Sequence, residues 1–346
     1  MSGGVDSSVV AGLLVEQGLD VVGVHMKLHD TPAHPSSSDG KHCCGLDDAL
    51  DARRVADRLG IPFFVMDLQA AFRAAVMDEF AAAYRAGATP NPCITCNGVL
   101  KFRILLQRVR ALGASHLATG HYAQITPDGG LAMAVDRAKD QSYFLFPVTR
   151  EALGQTLFPL GSMTKPEVRA HAARLGLVTA SKPESQEVCF LPNDDHTRFV
   201  TEQGADDGAG EIVDQEGNVL GTHDAYWRFT IGQRRGLDIA LGRRVYVLKI
   251  DPASRQVVVG PPEALQHAGV VARDMNWFSR PTAGQLLTAR VRHRGTLAAC
   301  TIEPEDDESA RVRFLEPVTA AARGQGVVVY DGDRVVAGGW IQEVHS

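Results

Sequence analysis

Two groups of residues have the types and spacing of chemical machinery. The first is Ser2-Gly3-Gly4-Val5-Asp6-Ser7-Ser8. Adjacent glycines remove the Cβ atoms that would hold an anion away from the backbone amides. The N–H groups at the start of the following helix then face that anion, with the positive end of the helix dipole behind them. Ser2, Ser7 and Ser8 add hydroxyl groups, and Asp6 can hold a Mg²⁺ that bridges phosphate oxygens. The Gly-Lys-Ser/Thr ending of a Walker A loop is absent. A plain Gly-Gly turn with a serine cap is the competing reading, and the aspartate and two serines at this spacing favour anion binding over it.

The second group is Cys93-Ile94-Thr95-Cys96, on a loop stiffened by Pro90 and Pro92, with Cys189 far along the chain. Zinc, redox and iron–sulfur chemistry all suit a lone Cys-x-x-Cys. Free cysteines are often simply buried, but Asn91, Thr95 and Asn97 make this a polar setting. Cys43-Cys44, beside His42, could bind metal and reads rather as structural. Cys300 falls in a strand pattern and reads as core.

The elements that must position these groups alternate. Val9, Val10, Leu13 and Leu14 have helical spacing, ended by Gly18. Residues 21–26 form an apolar strand, 47–59 a helix stopped at Gly60, and 61–66 a second buried strand. This alternation predicts a doubly wound α/β domain with a parallel sheet, whose ligands sit beyond the carboxyl ends of the strands. Such loops normally follow a buried strand, and none precedes this one in the sequence, so either the start is mis-called or the first strand is missing. A helix over residues 69–85 leads to the cysteine loop. A short strand over 116–120, a hairpin at Asp128-Gly129-Gly130 and a capping box at Thr164-Lys165-Pro166-Glu167 follow. After about Pro192 the pattern becomes strand-sized apolar runs between glycine-containing turns. The expected domains are therefore 1–195, 196–265 and 266–346.

At 346 residues and 45% hydrophobic content the chain can build two or three cores. Six cysteines are too few for a disulfide scaffold. No leader-like or membrane-spanning apolar run opens the sequence, so a cytoplasmic chain with reduced thiols is expected. A net charge of −6 argues against a generally basic nucleic-acid binder but leaves room for local patches. Arg228, Arg234, Arg235, Arg243, Arg244 and Lys249 form one, beside Tyr226, Trp227 and Phe229. Arg290, Arg292, His293 and Arg294 form another. Basic residues mixed with aromatics suit phosphate contact and base stacking, and two such clusters favour RNA over a solvated face.

Several motifs occur in one order: Ser2–Ser8, Met26-Lys27, Asn91-Pro92-x-x-x-Cys96-Asn97, Thr119-Gly120-His121-Tyr122, Lys139-Asp140-Gln141-Ser142-Tyr143, Ser185-Gln186-Glu187-Val188-Cys189-Phe190 and Thr230-Ile231-Gly232-Gln233-Arg234-Arg235-Gly236-Leu237. Together, over nearly the whole chain, they resemble the tRNA-specific 2-thiouridylase (MnmA) family. The resemblance implies an α/β fold of the ATP pyrophosphatase (adenine nucleotide alpha-hydrolase-like) kind, a small central domain and a C-terminal β-barrel. It implies ATP- and Mg²⁺-dependent thiolation of the wobble uridine in tRNAs for Lys, Glu and Gln. The sulfur would come from a donor protein, such as a cysteine desulfurase or a sulfur carrier, with no membrane partner.

Residue by residue, the resemblance makes Ser2, Gly3, Gly4, Val5, Asp6, Ser7, Met26 and Gly120 ATP-binding. Cys96 matches the catalytic cysteine and Cys189 the persulfide carrier. Asn91, Pro92 and Cys93 would touch the target base. His121, Lys139, Asp140, Gln141, Arg292, His293 and Gln325 would contact tRNA. Cys93 stands where many members have Asp, which leaves two mechanisms open. Cys93, Cys96 and Cys189 jointly ligate an iron–sulfur cluster, or Cys93 merely replaces Asp and persulfide chemistry is unchanged. Other pyrophosphate-loop enzymes, such as amidotransferases or a tRNA-lysidine synthase, have no need of three cysteines. A tRNA-binding protein with a crippled loop is the non-enzymatic alternative.

Overall fold

The computed structural model describes residues 1–29, 46–184, 188–191, 195–204 and 208–345. The readings made above for His42, Cys43, Cys44 and residues 185–187 lie outside these. The chain divides into two compact units. One comprises Met1–Met77, Cys93–Asp194 and Asp333–Val335, the other Asp78–Pro92, Asp195–Gly332 and Val336–Ser346.

In the first unit, helix α1 (Val5–Glu16) starts directly after the glycine pair, with Gly4 extended at the N-cap. The helix is apolar nearly all round, and it is buried on most sides. Val5, Val9, Val10 and Leu14 form a core with Val55 of helix α2 (Leu46–Leu59) and with Val168 and Ala172 of the helix Lys165–Arg174. Gly18, Gly60 and Gly176 end these three helices with φ of +75°, +68° and +62°, a conformation that costs glycine nothing.

Strands β1 (Gly23–Lys27) and β2 (Phe63–Asp67) run parallel in unbroken register. Strands β3 (Leu117–Ala118) and β6 (Thr156–Leu157) form a second parallel pair. Among the described residues of the first unit, then, the parallel strands come as two pairs. On the side of β1 away from β2, the Met1 ammonium donates to the Val24 carbonyl, and His25 Nδ1 donates to the Met1 carbonyl at 3.0 Å. The expectation that β2 is buried is corrected. Phe64 and Val65, which point to opposite faces of the strand, are 59% and 56% exposed, so the described residues leave both faces of β2 partly uncovered. The hairpin β4 (Ala123–Ile125) and β5 (Leu131–Met133) forms as expected, turning at Gly129.

The second unit holds two all-β cores. Strands β7 (Gly210–Val213), β8 (Val219–His223), β9 (Tyr246–Asp251) and β10 (Gln256–Gly260) form a sheet ordered β8-β7-β10-β9. Strands β11 (Gln266–Trp277), β12 (Leu287–Arg290), β13 (Ala298–Pro304), β14 (Ser309–Thr319), β15 (Gly326–Asp331) and β16 (Arg334–His345) close into a six-stranded barrel through a β11–β16 pairing. Closure gives each of these six strands a partner on both sides. Val270, Leu287, Cys300, Phe314, Val329 and Ile341 fill its interior, so Cys300 is core as expected. Burial there pushes the Cys300 thiol up to about 12.

The aromatics beside the first basic cluster face inward, which corrects their reading as stacking residues. Tyr226, Trp227 and Phe229 are all buried. The Trp227 ring lies over Gly208, where a Cβ would come within 2.1 Å of it, and its Nε1 donates to Thr201 Oγ1 at 3.3 Å. Tyr226 donates to the Arg85 carbonyl at 2.8 Å. Trp227→Ala should therefore lower the unfolding free energy by about 3–5 kcal/mol in urea denaturation. A surface stacking residue would cost less than about 0.5 kcal/mol.

Candidate active site

The Ser2–Ser8 loop is gripped from two sides. Gly3 has φ +74°, and a Cβ there would lie 2.3 Å from the Asp48 carbonyl oxygen of α2. Gly120, from the turn after β3, comes so close that its Cβ would meet Asp6 Cβ at 2.9 Å and Ser7 N at 3.0 Å. Neither position tolerates a side chain without moving the loop. Within it, Ser7 Oγ accepts from Ser2 N at 3.0 Å, and the two hydroxyl oxygens lie 3.2 Å apart. Ser8 is buried and donates to the Gly4 carbonyl at 2.8 Å, so its hydroxyl braces the helix start. Gly4 brings no side chain to cap the first-turn amides, which suits an anion at that position.

A chain of charges converges on Asp6. Lys165 Nζ lies 2.7 and 2.9 Å from its two carboxylate oxygens, and the Tyr122 hydroxyl donates to it at 2.9 Å. The same ammonium is 2.6 Å from Glu184, whose other oxygen is 2.6 Å from Lys139 Nζ. Burial works against ionisation of Glu184, but hydrogen bonds from Lys139 and Lys165 outweigh it and hold the carboxyl below its usual range. Burial and the Asp6 charge push the Tyr122 hydroxyl far up, so it stays a donor. Farther along the same segment, Lys182 bridges Asp48 and Asp51 of α2 at 2.7 and 2.6 Å. Lys182 and Glu184 thus tie residues 182–184 to α2 and to Lys165.

Cys96 opens a stretch of π-helix, Cys96–Leu105, a winding that recurs at functional sites. Asn97 fixes it by donating to the Phe144 carbonyl at 3.2 Å, and Gly98 lets Pro147 approach to 2.9 Å of its Cβ position. Burial raises the Cys96 thiol, and the Lys101 ammonium pulls the other way. Lys101 Nζ also donates to His121 Nε2 at 3.4 Å, which leaves His121 Nδ1 to donate to Thr119 Oγ1 at 2.8 Å. Burial first, then Lys101, drives the His121 pKa well down, so the ring is neutral.

The structure therefore brings together Asp6, Gly120, His121 and Lys139 from the expected residues. It adds Lys165, Glu184, Tyr122 and Lys101, which the sequence reading passed over as sites. The capping box explained Lys165 locally, and no short-range signal links it to Asp6, 159 residues away. Asp140 and Gln141 turn inward. Asp140 is buried and accepts from Ala134 N and from Ser142 N and Oγ. Gln141 Oε1 accepts from Tyr122 N at 3.0 Å, setting the turn that carries Gly120.

In the second unit, Gln325 donates to the Thr89 carbonyl at 2.8 Å, and Thr89 N donates to the Arg323 carbonyl at 2.8 Å. Both bonds hold the segment just before Asn91 and Pro92. Arg292 donates to the Ile231 carbonyl at 2.9 Å, bracing the loop of Arg234 and Arg235, which are exposed like Arg243 and Arg244.

A Mg²⁺ fits the donors around Asp6. A carboxylate, hydroxyls and helix-start amides are hard groups, and Mg²⁺ commonly uses one or two carboxylates plus substrate phosphates. The cluster expectation fares differently. Cys93, Cys96, Cys189 and Cys300 are all thiols. Among the described residues, however, no group of three or more His, Cys, Asp or Glu side chains could hold a metal ion. Cys93, Cys96 and Cys189 do not assemble the donor set of an iron–sulfur cluster in this conformation.

Comparison with known proteins gives three contiguous family matches. Residues 1–193 match the tRNA methyl transferase HUP domain, 197–261 the tRNA methyl transferase PRC-barrel domain, and 267–341 the aminomethyltransferase beta-barrel domain. The architecture is thus an α/β HUP domain, a central PRC-barrel-like domain and a C-terminal β-barrel. The tRNA-specific 2-thiouridylase MnmA of Geotalea uraniireducens is 48% identical over 351 residues, covering 99% of this chain and 93% of its own. The protein of that name from Geobacter metallireducens is 48% identical over 349 residues, covering 99% and 95%. That from Magnetococcus marinus is 46% identical over 348 residues, covering 99% and 97%.

The electrostatics of Cys96 make a checkable statement. In a Cys93→Ser/Cys189→Ser background, the pH profile of Cys96 alkylation should have its midpoint above the ordinary thiol range. Lys101→Met should move it higher still, because the stabilising ammonium is gone. A midpoint that did not move would remove Lys101 from the electrostatics of this thiol.

Proposed function

Because the chain belongs to the tRNA-specific 2-thiouridylase family, we propose that it activates a tRNA uridine with ATP and replaces the C2 oxygen with sulfur held on a cysteine. It is a tRNA-modifying sulfurtransferase. The observation that best supports this sequence of steps is the turn Thr119-Gly120-His121-Tyr122. Gly120 abuts the Ser2–Ser8 loop, Tyr122 binds Asp6, and His121 meets Lys101, whose charge acts on Cys96. One turn thereby links an anion-binding loop to a nucleophile.

A carbonyl oxygen is a poor leaving group. The uridine O2 attacks the α-phosphorus of ATP and pyrophosphate departs, leaving an adenylated oxygen that can leave as AMP. Loop amides of residues 3–7 stabilise charge on the phosphates, and Asp6 would hold the Mg²⁺ that supplies further charge neutralisation. The terminal sulfur of a Cys189 persulfide then attacks C2 and AMP departs. The Cys96 thiolate attacks the Cys189 sulfur and breaks the S–S bond, leaving 2-thiouridine and a Cys96–Cys189 disulfide for an external reductant. Asn91, Pro92 and Cys93 precede Cys96 and are placed in sequence to meet the base. The persulfide sulfur would come from a desulfurase or a sulfur carrier.

The tRNAs are those for Lys, Glu and Gln, held by exposed Arg234, Arg235, Arg243 and Arg244 and by Arg292, His293 and Gln325. His121, Asp140 and Gln141 act by setting the turn from within. None of the described helices is long and apolar enough to cross a membrane, and the work is assigned to the cytoplasm.

Asp6→Ala should abolish pyrophosphate release from ATP and tRNA while leaving tRNA binding nearly intact. Cys96→Ser and Cys189→Ser should stop thiolation and spare that release. Wild-type pyrophosphate release in Asp6→Ala would sink the loop assignment. Cys93→Asp should thiolate without iron, and iron-dependent activity lost in Cys93→Ser would restore the cluster mechanism. Neutralising Arg234, Arg235 and Arg244 should flatten the salt dependence of tRNA binding by about one log–log unit per lost phosphate contact.

A further inference from the structure

Lys165 is 8% exposed, and its ammonium lies between two carboxylates. A buried ammonium needs counter-charges, and removing one leaves it strongly unfavourable. Lys165 has two: Asp6, through both oxygens, and Glu184, which it shares with Lys139. Its backbone is held firmly. Thr164 opens the helix in a capping box with Glu167, whose carboxylate accepts from Thr164 N at 2.7 Å and from its hydroxyl at 2.8 Å, and Lys165 N donates to Asp136 at 2.9 Å. The long side chain can pivot on this fixed base.

Asp6 offers the same two oxygens to Lys165 and to any metal, so the two cations compete for it. If it turns towards a metal, Lys165 loses its main partner inside a poorly solvated pocket. The anion that best replaces Asp6 is one gathered by the α1 amides beside it, since Asp6 is itself in the first turn of α1. A compact ammonium within 2.7 Å of that residue is placed to reach such an anion.

We propose that Lys165 is a phosphate ligand of the nucleotide site, which exchanges Asp6 for the nucleotide's phosphate oxygens. The assignment rests on the nucleotide-loop reading and adds to it a catalytic cation. Lys165 neutralises the departing pyrophosphate, and Glu184 competes with the phosphates for its ammonium. A purely structural lysine would only pin the helix Lys165–Arg174 to α1.

The test is calorimetric binding of inorganic pyrophosphate and of Mg²⁺–ATP to the full chain at fixed Mg²⁺. Lys165→Met should weaken pyrophosphate binding roughly 10- to 100-fold, the worth of one charge-assisted hydrogen bond. Lys165→Arg should recover part of the loss, and tRNA affinity should be unchanged in both. Glu184→Gln guards against a folding defect in Lys165→Met. With less competition for the ammonium, it should bind pyrophosphate more tightly, whereas a merely structural bridge would bind it equally or less well when loosened. If wild type binds both ligands and Lys165→Met matches it, Lys165 is a structural clamp and the proposal falls alone. If wild type binds neither, the nucleotide reading falls as well.

Discussion

The close approach of Gly120 to the Ser2–Ser8 loop is the constraint on which the first unit depends. At 2.9–3.0 Å from Asp6 and Ser7 there is no space for a Cβ, so the backbone of one turn forms the wall of the other. Gly3 repeats the device against Asp48, in a conformation L side chains rarely adopt. The loop thus takes its shape from backbone contacts, and its amides and hydroxyls remain for chemistry. Because Gly120 sits in Thr119–Tyr122, the same contact also places Tyr122 on Asp6 and His121 on Lys101.

Around that contact, charge is handled in alternation. Asp6, Lys165, Glu184 and Lys139 form a row of opposite signs whose sum is zero. Such networks are seldom the most stable way to fill a site, since desolvation offsets much of the attraction. Their use is that a change at one end is felt along the row. A cation or an anion arriving at Asp6 alters the partner of Lys165, then of Glu184, five residues before Cys189 in the chain. The neutral His121 serves the opposite purpose. Held neutral by burial and by Lys101, it leaves that ammonium as the positive charge acting on Cys96.

The second unit separates packing from charge. Its aromatics and the barrel interior are buried, and its arginines stand outward on loops that Gln233 and Arg292 brace. An acidic chain can then present a locally basic face, because exposed charges beyond about a Debye length are screened from one another.

Short-range chemistry was legible in the sequence. The glycine stops after α1, α2 and the helix Lys165–Arg174, the capping box at Thr164, the hairpin at Gly129 and the glycine-serine loop all depend on neighbours within a few residues. The apolar alternation after residue 210 likewise announced β domains, and the motif order announced the family. What the sequence could not settle is which face meets which. Tyr226, Trp227 and Phe229 read as stacking residues beside a basic cluster, and tertiary packing, such as that of Trp227 on Gly208 and Thr201, made them core. Phe64 and Val65 read as buried, and the fold leaves them exposed on the two faces of β2. Lys165 read as the first turn of a capped helix, and only tertiary folding carried its ammonium 159 residues back to Asp6. Helix caps and turns are written in local backbone geometry, whereas the partner of a buried charge is chosen by the whole fold.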